Sequence, residues 1–184
     1  MGMPAQDTTW TAEMARSLPD DGLRHEVLDG ALFVSPAPSR LHQRAVGRLY
    51  ELLAPYTREN HVGETLMSPA DIEFSPRRLL QPDLFVVPDA SPRGTWRDVK
   101  SLLLVVEVLS PSTARADRHA KRTIYLDEGI PEYRIVDLDG RVVERWQPGD
   151  QRPEVLTEDL VWRPLATFEP LTVQLPRYFS DVLD

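Results

Sequence analysis

The sequence predicts a mixed α/β domain in which a central β-sheet is flanked by helices. Three observations lead there. Segments with strand and helix signals follow one another as strands, helix, strands, helix, strands, an order that layers helices on a sheet. The run Leu102-Leu103-Leu104-Val105-Val106-Glu107-Val108-Leu109 is apolar on both alternating faces, as a central strand covered on two sides requires. Asp29-Gly30 and Asp139-Gly140 each lie between strand-like runs, and Asp-Gly supplies the positive φ angles of a tight hairpin turn.

In chain order, residues 1–22 read as a polar N-terminal arm with one short helical piece around Thr11 to Ser17, and residues 23–184 as a single domain. Strands are expected over 24–28 and 31–35, ended by Pro36 and Pro38. Ser39 is a good N-cap, and Leu41, Ala45, Leu49, Leu52 and Leu53 recur at helical spacing, giving an amphipathic helix to about Tyr56 whose other face carries Arg40, Arg44 and Arg48. Residues 62–67 and 71–74 read as two strands followed by a loop with proline and arginine. A short strand over 83–87 lies between Pro82 and Pro88, and residues 91–98 form an exposed loop before the Glu107 strand. Thr113 and residues 114–127 make a second helix, stopped by Gly129. A hairpin over 132–136 and 141–146 follows, then short strand-like pieces at 161–164 and 171–175.

Composition bounds the chemistry. The 184 residues suffice for one compact core, and 29 acidic against 21 basic residues leave a net charge of -8. Any nucleic-acid contact must therefore come from a local basic patch. Residues 39–48 and 114–123 each carry a local excess of arginine and lysine that could meet phosphate, or simply solvate a helix face. The absence of cysteine removes disulfides, thiolate nucleophiles and cysteine zinc sites. No apolar stretch approaches the roughly 18 residues that span a bilayer, and the N-terminal residues lack a charged and apolar signal pattern, so the expectation is a cytoplasmic protein without membrane contact.

Glu107 is the first suspect for chemistry. An unpaired carboxylate in a buried strand costs several kcal/mol or takes up a proton, so such a group is hydrogen-bonded, paired or metal-bound. Pro82-Asp83 opens another short apolar strand, and if the two strands are neighbours Asp83 lies beside Glu107. Two carboxylates at a strand end form a minimal ligand set for Mg²⁺, which keeps several waters. On the following helix Asp117, Lys121 and Tyr125 are spaced i, i+4, i+8 and share one stripe. Taken singly, each residue has a plainer reading. Glu107 could pair with an arginine, Asp83 could end a turn, and Lys121 could partner Asp117 on a solvated face. His42 could be a boundary residue and Tyr125 core packing.

The ordered set is more specific than its pieces. Pro82-Asp83, Glu107-Val-Leu-Ser-Pro-Ser-Thr113, Asp117, Lys121, Tyr125, Gly129 and Glu132-Tyr133-Arg-Ile-Val-Asp137 resemble the Uma-two family of endonucleases, within the PD-(D/E)XK or restriction-endonuclease-like superfamily. Glu26-Val-Leu-Asp-Gly30, Ser35-Pro-Ala-Pro38 and His42 are similar to that family's N-terminal pattern, so the resemblance spans about residues 24–137. It implies a restriction-endonuclease-like mixed sheet and hydrolysis of DNA phosphodiesters with Mg²⁺ or Mn²⁺ held by Asp83 and Glu107. Lys121 would orient or deprotonate the attacking water or offset charge at phosphorus. Glu26 would be a further metal ligand or a carboxylate that supports one, His42 a phosphate contact or proton shuttle, and Tyr125 a positioning residue. A homodimer is implied as well, with edges offered by the C-terminal strands. The chain departs from the superfamily at Leu109, which stands where a lysine two positions after the acid is expected. The resemblance then implies that Lys121 supplies the amine from the next helix. Two other readings remain open: a non-catalytic nucleic-acid-binding or protein-interaction module on the same fold, and an unrelated α/β hydrolase, which the absence of Gly-x-Ser-x-Gly disfavours.

Overall fold

The structure is a computed structural model that describes residues 9–91 and 94–184. Its elements are α1 (Ala12–Arg16), β1 (Arg24–Leu28), β2 (Ala31–Ser35), α2 (Arg40–Glu59), β3 (Gly63–Met67), β4 (Ile72–Ser75), β5 (Arg78–Leu80) and β6 (Leu84–Pro88). A 3-10 turn (Trp96–Asp98), β7 (Leu104–Val108), α3 (Ala114–Ala116), a π turn (Asp117–Lys121) and α4 (Arg122–Asp127) follow. The chain closes with β8 (Tyr133–Asp137), β9 (Val142–Trp146), β10 (Glu154–Leu156), β11 (Asp159–Trp162), β12 (Leu171–Gln174) and α5 (Leu175–Leu183).

Six strands form the central sheet in the order β10-β9-β8-β7-β6-β3, with β7 and β8 parallel and the other neighbours antiparallel. The parallel pair needs a crossover, and the helical segment 114–127 provides it. Strand alternation divides the core. Leu104, Val106 and Val108 of β7 join Ala45, Leu49 and Leu53 of α2 and Tyr178, Phe179 and Val182 of α5 on one face. Val105 meets Ile124, Tyr125, Tyr133 and Ile135 on the other, where Leu28, Ile72 and Leu80 of a smaller sheet close over them. That smaller sheet has the order β2-β1-β5-β4, and α1 seals its outer side through Ala12 and Ala15 against Val27 and Leu79. Glu107 therefore lies between two sheets.

The first hairpin has the expected turn, with Asp29 at φ 50° and Gly30 at φ 88°. The second differs. Asp137 pairs with Val142, so the connection is the loop 138–141, and the positive φ falls on Arg141 at 51° instead of on Gly140. Gly140 donates its N–H to Asp137 Oδ1 at 2.9 Å, a side-chain bond that holds the longer loop. Three elements were not anticipated: β5, β10 and α5. The strand β5 is short and exists because β1 and β4 pair with it from either side. The stripe Leu175, Tyr178, Phe179, Val182 with a proline in the first turn is a helix signal present in the sequence, overlaid by the strand-like start of that segment.

Two expectations about surfaces gain detail. The arginine face of α2 stays exposed at Arg40 and Arg44, but two of its three arginines also bond to α5. Arg44 donates to the Val182 carbonyl at 2.7 Å, and Arg48 binds Asp181 at 2.6 Å and Glu51 at 2.7 Å. The C-terminal strands β11 and β12 pair only with each other, so each keeps one outer edge, and the main sheet adds further edges at β3 and β10. Among the described residues no helix is long and apolar enough to cross a membrane.

Candidate active site

The antiparallel register pairs Leu84 with Val106 and Phe85 with Val105, and one further step places Asp83 opposite Glu107. Directly opposed residues share a sheet face, with Cβ atoms about 4.5–5.5 Å apart. Asp83 is tied to this position: its Oδ2 accepts the Val108 N–H at 2.9 Å and bonds His42 Nε2 at 2.9 Å, while Oδ1 accepts from Arg24 at 2.8 Å. Glu107 Oε1 accepts from the Tyr125 hydroxyl at 3.0 Å and from Lys121 Nζ at 3.2 Å. The same ammonium lies 2.9 Å from Glu26 Oε2 and 3.5 Å from Asp117 Oδ1, and Glu26 Oε1 accepts the Gln81 N–H at 2.9 Å. The six residues singled out in the sequence thus fall into two adjoining bonded groups, Asp83 with His42, and Glu107 with Lys121, Tyr125 and Glu26, which meet across the strand pair and line one cavity.

Two more residues join these groups. Arg24 lies two residues before Glu26 on β1, and period-two alternation sends both toward the central sheet. Asp117 shared the helix stripe with Lys121, and it too is buried. The alternation of β1 and the helical stripe were the signals that could have added them to the expected set.

The helix carrying Lys121 is not regular. Residues 117–121 widen into a π turn, with hydrogen bonds of the i→i+5 type, between two α-helical stretches. One extra residue in a turn rotates the following side chains by about 100° relative to an unbroken α-helix. Across this turn Lys121 and Tyr125 end on the same oxygen of Glu107 while Asp117 lies beside the ammonium. The Tyr133 hydroxyl donates to the Asp117 carbonyl at 3.0 Å, a tertiary bond inside the turn. Leu109, in the position where the superfamily has its lysine, packs into the core instead.

Charge balance sets the electrostatics. Glu26, Asp83, Glu107, Asp117 and Lys121 each keep only 1–4% of their surface exposed. Four carboxylates formally face two fixed cations, Lys121 and Arg24, so acids are in excess in a water-poor site. Burial pushes the Glu107 carboxyl well above the usual range, Lys121 opposes it, and the charges of Asp83, Asp117 and Glu26 add to the rise. Burial likewise raises Asp117 to about 6 against the pull of Lys121. Asp83 goes the other way. Burial would raise it, but the bonds and charges of His42 and Arg24 prevail and hold it below the usual carboxylate range. Lys121 loses water on burial, yet Glu107, Glu26 and Asp117 keep its ammonium firmly protonated.

Beside this cluster opens a cavity of about 210 Å³ whose floor includes Asp83, Glu107 and Lys121. Its walls are two loops, residues 35–39 and 110–113.

A sequence profile of the Uma2 family, described as "Putative restriction endonuclease", matches residues 12–176. The chain belongs to the Uma2 family. A crystal structure described as a "putative nuclease belonging to DUF820", from Anabaena variabilis, is similar in fold, with a TM-score of 0.77 over 94% of this chain and 99% of that one at 17% sequence identity. No curated protein matches the chain. Family membership makes a metal the natural test of the cluster. Among the described residues no three His, Asp or Glu side chains converge as a ready metal cage. Asp83 and Glu107 nevertheless fit a hard divalent ion that takes two protein carboxylates and completes its shell with water. Asp117 adds to the case as a buried carboxylate whose ion-pair contact with Lys121 is a long 3.5 Å.

Proposed function

We propose that this Uma2-family chain hydrolyses phosphodiester bonds in DNA with Mg²⁺ or Mn²⁺ held by Asp83 and Glu107. The observation that carries the reading is the strand register that sets Asp83 opposite Glu107, both lining one cavity, inside a cluster in which acids outnumber cations. When bound, the ion would polarise the scissile phosphate and the attacking water.

The chain's own groups divide the remaining work. Arg24 and His42 keep Asp83 ionised and aimed, so His42 acts on the carboxylate through Nε2 and not directly on phosphate. Tyr125 fixes Glu107 through its hydroxyl. Lys121, anchored by Glu26, orients water and offsets negative charge that builds on the phosphate oxygens. The water oxygen forms a bond to phosphorus as the ester P–O bond breaks, and the leaving oxygen takes up a proton. Glu26 is a support for Lys121 in this arrangement.

The test is metal-dependent cleavage of a mixture of circular single-stranded and plasmid DNA, comparing wild type with Glu107→Gln and Lys121→Ala, alongside Mn²⁺ binding followed by electron paramagnetic resonance. Cleavage and Mn²⁺ uptake by wild type, with cleavage lost in both variants, support the proposal. Equal cleavage by all three would assign the activity to a contaminant. A folded wild type that neither binds Mn²⁺ nor cuts would favour a non-catalytic nucleic-acid-binding or protein-interaction module. A homodimer belongs to this reading only for cutting both strands of a duplex, and light scattering decides it.

A further inference from the structure

The walls of the cavity say which form of nucleic acid fits, an inference that rests on the nuclease reading above. The carboxylates at its floor are almost wholly buried, so a phosphate must enter the cavity to reach them. A volume of about 210 Å³ is that of about seven water molecules at ~30 Å³ each. That accommodates a phosphodiester and adjoining sugar atoms, not the paired backbones of a helix. Both rims are stiff: Pro36 and Pro38 lie in one wall and Pro111 in the other. The Ser110, Ser112 and Thr113 hydroxyls on the second wall bond to one another at 3.0 Å and can turn to a phosphate or sugar oxygen.

Arg24 and Lys121 line the cavity itself, and one exposed arginine adjoins each wall in the chain. Arg40 directly follows the wall residue Ser39, and Arg115 lies two residues beyond Thr113 on the opposite wall; both are exposed. Neither enters an ion pair among the described residues. Beyond these two, the neighbouring arginines each bond a protein acceptor, Arg44 a single carbonyl while it stays exposed. Arg44 and Arg48 are bound by α5, and Arg118 is bound by Asp137 at 2.9 Å and Glu144 at 2.8 Å. A duplex presents two backbones across grooves about 6 and 12 Å wide, and its binding relies on many neutralised phosphates. A net charge of -8 makes that harder. One exposed arginine next in the chain to each wall suits one strand passing between the walls.

We propose that the substrate is a single, unpaired nucleic-acid strand that enters between the loops 35–39 and 110–113, with Arg40 and Arg115 gripping the phosphates on either side of the scissile one. The strand bends at the mouth so that one phosphate descends to Asp83 and Glu107.

The experiment has two arms. A labelled oligonucleotide and its blunt duplex of equal length are offered to wild type with Mn²⁺, and binding of both is followed by fluorescence anisotropy with Glu107→Gln in metal-free buffer. The strand should be cut at least tenfold faster and bound at least tenfold tighter than the duplex. Arg40→Ala combined with Arg115→Ala should weaken strand binding at least tenfold and lower the slope of log affinity against log salt by about 1.4, for two lost phosphate contacts. Arg152→Ala, on an exposed loop, should change neither. A duplex cut and bound as well as the strand overturns the inference and leaves the nuclease reading standing. A strand preference that ignores the double variant overturns the proposed path. Failure to cut or bind either form removes the nuclease reading itself.

Discussion

The two faces of the central sheet each bury a charge cluster, and the clusters are built on different rules. On the α2 face Arg134 and Glu132 form an isolated pair, Nε to Oε1 at 2.6 Å, with the guanidinium 5.8 Å from the Trp162 ring centroid. Acid and base are matched one to one. On the opposite face Lys121 and Arg24 are outnumbered by Glu26, Asp83, Glu107 and Asp117, and that cluster opens on a cavity. Both contain buried ions, so burial of charge alone does not mark a site. An unmatched sum and a route to solvent do, because only an unmatched cluster gains from taking up a proton, a metal or a substrate charge.

Breaking each cluster should give opposite results. The largest effect is on chemistry: Glu107→Gln should reduce metal-dependent cleavage by about 10²–10³-fold or more, the scale of losing one group that stabilises transition-state charge. An unchanged rate would remove Glu107 from the mechanism. On the matched side, Arg134→Met strands Glu132 and should cost about 3–5 kcal/mol in urea unfolding, whereas Arg134→Met with Glu132→Leu should recover most of it. A single variant as stable as wild type would mean the pair is not desolvated as described.

Asp117 sharpens the contrast through pH. Its carboxyl is raised from 3.8 to about 6 in the folded chain. Between those values the folded state holds a proton that the unfolded state has lost, so stability is fully present below the lower value and falls as pH rises through the upper one. Asp117→Asn removes this dependence. The variant should be more stable than wild type above pH 6 by about 1–3 kcal/mol, with the difference shrinking toward pH 4; thermal unfolding across that range checks it, and a difference of the opposite sign refutes the excess of acid. The smallest effect is expected for Tyr125→Phe. One hydrogen bond to Glu107 is lost, worth about 1 kcal/mol, and cleavage should fall by tenfold or less while the fold persists.

Much of this arrangement is legible in residue order. Glu107 stands out because a lone acid in an eight-residue apolar run has few physical excuses, and the Asp-Gly turn at Asp29 announces β1 and β2. Lys121 is less direct, since a lysine four residues after an aspartate more often marks a solvated helix face. Here the same spacing is buried because Glu26 arrives from a separate sheet. The arginines of α2 show the converse: Arg44 and Arg48 find partners on α5, more than a hundred residues away, which no local pattern announces.

Alternation of side chains along a strand and the periodicity of a helix are local, so the sequence by itself determined the mixed α/β class, the central position of β7, its two covered faces and the oddity of Glu107 within it. Which charges meet was decided only in the tertiary structure. The register that sets Asp83 against Glu107, the meeting of Lys121 and Tyr125 on one Glu107 oxygen, and the loops that narrow the cavity all depend on segments far apart in the chain. Their energies exist only once those segments pack and water leaves.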